Sequence, residues 1–245
     1  MDYLTQALIA FVVFAAVFTQ SLVGFGCGLI AMPLLSHIAG IRTAAPLVAL
    51  INLTVVGALA IRYRNHFSFR AVAPLWVSAV FGIPTGVLVV RHVEEAFTLG
   101  FLGLFVAAYA LYGLFTPSLP YLKSRAWAYG FGFLSGICGG AYNSSGPPAI
   151  VYGNCRRWQP AEFKGNLQGF FLFNTVLTNL SHAINHNTTP AVLHSYALSL
   201  PAIVAGVAGG LGLYGRLKPG RFRKAVLVLL VILGIQMVAS ALWRA

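Results

Sequence analysis

Acidic side chains are nearly absent from this chain. Only Asp2, Glu94, Glu95 and Glu162 occur in 245 residues, and charged residues of both signs make up 8%. A soluble domain carries roughly a quarter, so a solvated globular surface is excluded. None of the four acids falls inside an apolar run of membrane length, which argues against a carboxylate relay or a carboxylate cation site. Cysteine is scarce as well. Cys27, Cys138 and Cys155 form no C-x-x-C and leave an odd one over, which fits small apolar packing residues. No Walker motif, G-x-S-x-G or H-E-x-x-H occurs. ATP-driven transport by this chain and the commoner hydrolases are therefore not expected, nor is a cofactor.

What is present in excess is apolar surface, with hydrophobic residues at 58%. The net charge of +12 does not point to nucleic acid, because the basic residues sit in short loops between apolar runs, where topology signals of membrane proteins lie. The start, MDYLTQALIAFVVFAAV, has an acidic rather than a basic lead and no small-residue cleavage site, and reads as a retained first membrane segment. Apolar runs recur near Leu4–Leu35, Ala44–Ile61, Ala71–Val90, Ala96–Phe115, Ala126–Gly153, Leu167–Ile184, Leu193–Tyr214 and Ala225–Leu242. Six have the length of one span. The first and fifth are too long for a single straight span, and each is interrupted by a glycine cluster, GFGCG at Gly24–Gly28 and GFLSGICGGAYNSSGPP at Gly132–Pro148.

The halves echo one another. SLVGFGCGLIAMP resembles SGICGGAYNSSGPP, with Gly24 and Pro33 standing 115 residues before Gly139 and Pro148; Asn52 precedes Asn174 by 122 and Arg91 precedes Arg216 by 125. If all eight runs cross, the Lys and Arg residues divide six to ten and orient nothing. If the first and fifth return to the side they entered, thirteen of sixteen fall on one side, leaving only Arg42, Arg91 and Arg244 on the other. The expected fold is therefore all-α and polytopic, a single transmembrane domain over 1–245. Two inverted repeats (1–118 and 124–245) would each comprise one broken re-entrant hairpin and three spans, with both termini outside.

Irregular backbone at membrane depth survives only where protein buries it or a polar cavity solvates it. Two breaks meeting near the midplane form the usual binding site of a secondary transporter. A half-helix starting at such a break aims N–H groups and a positive dipole end at its ligand. Asn143, Ser144 and Ser145 are good N-cap residues, and Pro147 suits a first helical turn. The expected ligand is a small anion. Its expected site comprises Gly24, Phe25, Gly26, Gly28, Gly139, Gly140, Asn143, Ser144, Ser145 and Gly146, with Asn52, Gln168 and Asn174 as polar residues within spans. For the last three, interhelical hydrogen bonding is the competing role. Arg42 and Lys164 begin two spans and either lend charge to a hairpin or anchor at the interface. His182 and His186, four apart with His194 beyond, could share a metal on one helical face, though no carboxylate stands by as a further ligand.

The segment SLVGFGCGLIAMPLL followed by RTAAPLVALIN, with GFLSGICGGAYNSSGPPAIVYG followed by FKGNLQ, resembles the TauE/SafE group of sulfite and organosulfonate exporters across essentially the whole chain. The resemblance implies an inner-membrane carrier of small sulfur-containing anions, such as sulfite or sulfoacetate, that is not an enzyme. Members of that group carry denser glycine runs where this chain has Asn143-Ser144-Ser145. Export also fits the electrostatics, since an inside-negative potential of 100 mV contributes about 2.3 kcal/mol per charge moved outward. An anion channel and a membrane-embedded histidine–metal enzyme are the alternatives. The expected partners are a small-molecule anion substrate and the lipid bilayer, with a homodimer left open and no nucleic acid.

Overall fold

The computed structural model describes residues 3–92, 94–115, 120–213 and 219–244. Within them the chain forms ten α-helices: α1 (Tyr3–Val23), α2 (Cys27–Ala39), α3 (Ile41–Tyr63), α4 (Phe69–His92), α5 (Glu95–Phe115), α6 (Trp127–Tyr142), α7 (Gly146–Cys155), α8 (Pro160–Ile184), α9 (Pro190–Leu213) and α10 (Pro219–Arg244). The molecule is an all-α polytopic membrane protein. The end of the first repeat expected at 118, and the loop cations Arg216 and Lys218, lie outside the described residues.

Among the described residues, four helical stretches are long and apolar enough to cross a membrane: Leu4–Val23, Ile41–His66, Phe69–Leu88 and Pro190–Leu213. The helix α8 is equally long but buries Asn166, Gln168, Asn174, Thr175, Thr178 and His182. Those polar groups are tolerable because they face protein rather than lipid.

Small residues set the pairing of helices, since they let backbones approach closely in a solvent that gives no hydrophobic reward for association. Gly132, Gly136 and Gly140 of α6 lie successively against Leu75, Ala79 and Ile83 of α4, so these two helices run parallel. Gly206 and Gly210 of α9 lie against Val17 and Ser21 of α1 in the same rising order, so this pair is parallel too. On α5 and α10 the order reverses. Gly100 faces Ala241 while Gly113 faces Leu227, which makes that pair antiparallel. The next interfaces are α3 with α8, α4 with α8, α2 with α3, α1 with α2, α6 with α7 and α3 with α9. Exchanging the first five helices for the last five turns α4–α6 into α1–α9, α4–α8 into α3–α9 and α1–α2 into α6–α7, and returns α5–α10 and α3–α8 to themselves.

The basic loops collect at one end. Lys164 Nζ lies 5.5 Å from the Tyr63 ring centre, and the Ser68 N–H donates to Asn166 Oδ1 at 2.8 Å. Arg156 donates to the carbonyls of Leu122 and Lys123, and Arg157 stacks on Tyr121. The Leu122 N–H reaches Cys155 O at 3.1 Å, so the entry to α6 and the exit of α7 are neighbours. Ring contact between Phe131 and Tyr152, at 5.7 Å, shows the two arms side by side. The α6–α7 segment thus starts and finishes at the basic end. The α1–α2 segment does so at the other end: α1 runs with α9 away from that end, and α2 passes through Gly40 alone into α3, which runs back to the basic loops.

Candidate functional site

Both breaks begin in the same way. Gly24 follows α1 with φ 97°, and Asn143 follows α6 with φ 52°. In each case the left-handed residue donates its N–H four residues back, Gly24 to Gln20 O at 2.7 Å and Asn143 to Gly139 O at 2.9 Å. Both are left-handed helix ends, for which glycine and then asparagine are the suited residues, and at α6 the Ser144 N–H adds a bond to Cys138 O at 3.1 Å. Gly24 and Asn143 are 119 residues apart, as are Ile41 and Pro160, the first residues of α3 and α8. The structural register therefore differs by four from the 115-residue spacing of Gly24 and Gly139. The prolines explain the slip, because Pro33 lies within α2 whereas Pro147 and Pro148 open α7.

Each break is fastened by an amide from the opposite half. Gln168 on α8 donates Nε2 to Gly24 O at 2.7 Å, and Asn52 on α3 donates Nδ2 to Asn143 O at 3.3 Å. Asn143 also spends its own amide, donating Nδ2 to Ala45 O at 2.7 Å. Further along, Asn179 donates to Ala49 O at 2.9 Å. The breaks also touch directly, because a Cβ on Gly28 would overlap Asn143 O. A carbonyl freed by a helix break and buried without a donor would cost about 1–3 kcal/mol, so these crossed amides keep the irregular backbone in place.

Between the breaks lies a cavity of about 30 Å3. It has room for a water or a small ion of a few heavy atoms and is far below the usual size of drug-like sites. Phe25, Gly26, Gly28, Asn52, Gly139, Asn143, Ser144, Ser145, Gly146 and Asn174 line it, together with Gln20, Leu29, Val56, Phe171, Thr175 and Thr178. Gly24 stands behind the lining and is held by Gln168. Gly140 faces α4, where a Cβ would overlap Ile83 O. Arg42, which is exposed, and Lys164, which sits over Tyr63, are not among the lining residues. Thr175, Thr178 and Phe171 escaped the sequence reading although their spacing with Asn174 marks one face of α8. Gln20 escaped it because nothing in the sequence shows which of the polar residues Thr19, Gln20 and Ser21 α1 turns toward the break.

The donors differ from the expected set. Neither α2 nor α7 has a side-chain cap, and Ser145 at the N-cap of α7 has helical φ and ψ. The expected capping by Asn143, Ser144 and Ser145 is not formed, because Asn143 is committed to ending α6 and Ser144 Oγ donates to Tyr142 O at 3.1 Å. Pro147 and Pro148 have no N–H, which leaves Gly146 and Ala149 as first-turn amides of α7. In α2, Cys27 N–H is taken by Gln20 Oε1 at 2.9 Å, and the next two amides, Gly28 and Leu29, have no acceptor within their own helix. With Oε1 engaged, Gln20 has its Nε2 to offer. Asn174 donates Nδ2 to Phe170 O, which fixes the amide's orientation and leaves Oδ1 buried without a partner. Among the described residues no charged side chain lines the cavity.

The histidines do not share a helical face. The helix α8 ends at Ile184, His186 has φ 56° in the following turn, and His182 Nδ1 pairs with Asn187 Nδ2 at 3.2 Å. Among the described residues no group of three or more His, Cys, Asp or Glu is placed to hold a metal ion, so the metal-enzyme alternative loses its geometric basis.

The family described as sulfite exporter TauE/SafE matches residues 8–237. A relative from Cupriavidus necator, named as a probable sulfite/organosulfonate exporter TauE, is 27% identical over 236 residues, covering 93% of this chain and 91% of the relative. No solved structure matches the chain. With the match running through both broken segments and every span between them, this chain belongs to the TauE/SafE sulfite exporter family.

Proposed function

We propose that the protein is a secondary carrier that moves a small sulfur oxyanion outward across the inner membrane, binding it in the cavity between the two breaks. The observation that carries this reading is the convergence of two helix N-termini, α2 and α7, on one cavity whose polar lining, among the described residues, consists of amides and hydroxyls without a charged side chain. Amide donors and helix dipoles stabilise an anion without a fixed counter-charge, and such binding stays weak enough for release. The volume favours a sulfite-sized anion; a sulfonate with a carbon chain requires the cavity to widen. The parallel α1–α9 and α4–α6 pairs, the exchange pattern of interfaces and the crossed amides support two inverted repeats about this site. Alternating access then follows as a rocking of one half against the other, with Gln168–Gly24 and Asn52–Asn143 as the contacts that move with it. The basic loops fit the cytoplasmic side, which puts both termini outside, and the membrane potential drives a monoanion outward about 50-fold per 100 mV.

The test is sulfite binding to purified protein, with saturable counterflow in vesicles separating a carrier from a channel. Ser145→Ala is expected to weaken binding about 10- to 150-fold, the loss of one hydrogen bond to a charged ligand. Ser144→Ala should do less, because that hydroxyl already serves Tyr142. Unchanged affinity in a folded Ser145→Ala protein overturns this site.

A further inference from the structure

A second cavity, of about 490 Å3, opens near the basic end between the end of α3, the start of α4 and the first half of α8. Its wall is aromatic and rigid. Trp76 stacks on Phe173 at 5.0 Å and on Phe67 at 5.7 Å, and Phe67 in turn lies against Gly169. Ile61 and Val176, 68% and 47% exposed, form its open side. Among the described residues Arg64 is the only charged one in the lining, and it directly follows the apolar helix α3. Arg62, Arg64 and Arg70 are all exposed there. The acid on this part of α8, Glu162, accepts from Asn166.

An apolar crevice facing the hydrocarbon layer is not a stable place for water, so a lipid tail is its natural filling. We infer that this crevice binds one anionic phospholipid, with an acyl chain against Trp76 and Phe173 and the phosphate at Arg64. Charge complementarity selects the headgroup, since a phosphodiester with no compensating ammonium gains most from the guanidinium of Arg64, the arginine that lines the crevice. Nothing in this inference depends on the central cavity or on the transported ion.

The purified full-length protein would be mixed in detergent with phosphatidylglycerol or phosphatidylcholine of identical acyl chains, and retained lipid counted by native mass spectrometry. Wild-type protein should favour phosphatidylglycerol about fivefold, the worth of one arginine near a headgroup. Arg64→Gln should bring the ratio to about one without changing phosphatidylcholine retention. The double variant Ala60→Phe with Val176→Phe should retain less of both. No preference in wild type, a preference that survives Arg64→Gln, or undiminished retention in the folded filled variant overturns the assignment. Displacement of the lipid by inorganic phosphate alone does so too, since it would mean a simple anion site. Unfolding midpoints accompany each variant; if the filled one fails to fold, Arg64→Gln decides, because Arg64 is exposed.

Discussion

Gln168 and Asn52 act on the site through backbone they hold. Each lies on a long helix of one half and donates to the carbonyl of the first left-handed residue in the other half's break. Such a carbonyl has lost its helical donor and is shut off from water, so the side-chain amide is its replacement. Gln168 is 1% exposed, and Gln168→Leu keeps the bulk while removing the donor. Thermal unfolding in detergent should show a loss of about 1–3 kcal/mol, with anion affinity falling as Gly24 and Gly26 lose their position. A variant as stable as wild type would show that Gly24 O finds another donor. Polar residues within spans were legible in the sequence as candidates for either binding or interhelical bonding. Asn52 and Asn174 line the cavity, whereas Gln168 stands behind it and braces, a division that the spacing of the sequence cannot express.

At the scale of elements, the decisive contact is that of α2 on the second break. Gly28 sits in the first turn of α2, and its missing Cβ is where Asn143 O passes, with Ser144 Oγ 3.2 Å from the same point. The obstacle is main chain, which cannot swing aside as a side chain does. Gly28→Ala should therefore destabilise by at least the 1–3 kcal/mol typical of overpacking, and it should abolish sulfite binding even where folded protein is recovered. An alanine variant with native stability and affinity would mean that α2 and the break lie further apart. The sequence marked Gly24–Gly28 as a break but assigned the donors mainly to NSSGPP. In the fold the prolines strip α7 of two amides, and α2 keeps Gly28 and Leu29, so the first hairpin supplies more backbone donors than expected.

Across the whole molecule, the arrangement rests on two hairpins entering from opposite ends. Single cysteines replacing Thr5 and His37, in a background lacking Cys27, Cys138 and Cys155, should both react with an impermeant thiol reagent from outside in intact cells. Labelling from opposite faces would mean that the first segment crosses fully, and the two-repeat reading would fail. The same placement predicts that cysteines in the Arg62–Arg70 loop stay unlabelled until the membrane is opened. Gly206 and Gly210 against α1, and Gly132, Gly136 and Gly140 against α4, hold the hairpins in these positions. Separating the pairs would widen the space around both breaks at once.

The scarcity of charge and the recurrence of apolar runs by themselves determined a helical membrane protein, because lipid admits no other use of such a sequence. Two overlong runs with glycine clusters located the breaks, since Gly24 and Asn143 are among the few residues that end a helix in the left-handed conformation. The one-sided Lys and Arg distribution gave the expectation of which segments turn back. Partner choice lay beyond it. That Asn143 would tie α6 to α3, that Gln168 would reach across 144 residues to Gly24, and that three polar residues would leave α7 uncapped are outcomes of packing two halves together. A side-chain amide has several possible partners of similar energy, and only the assembled tertiary structure decides which of them lies within 3 Å.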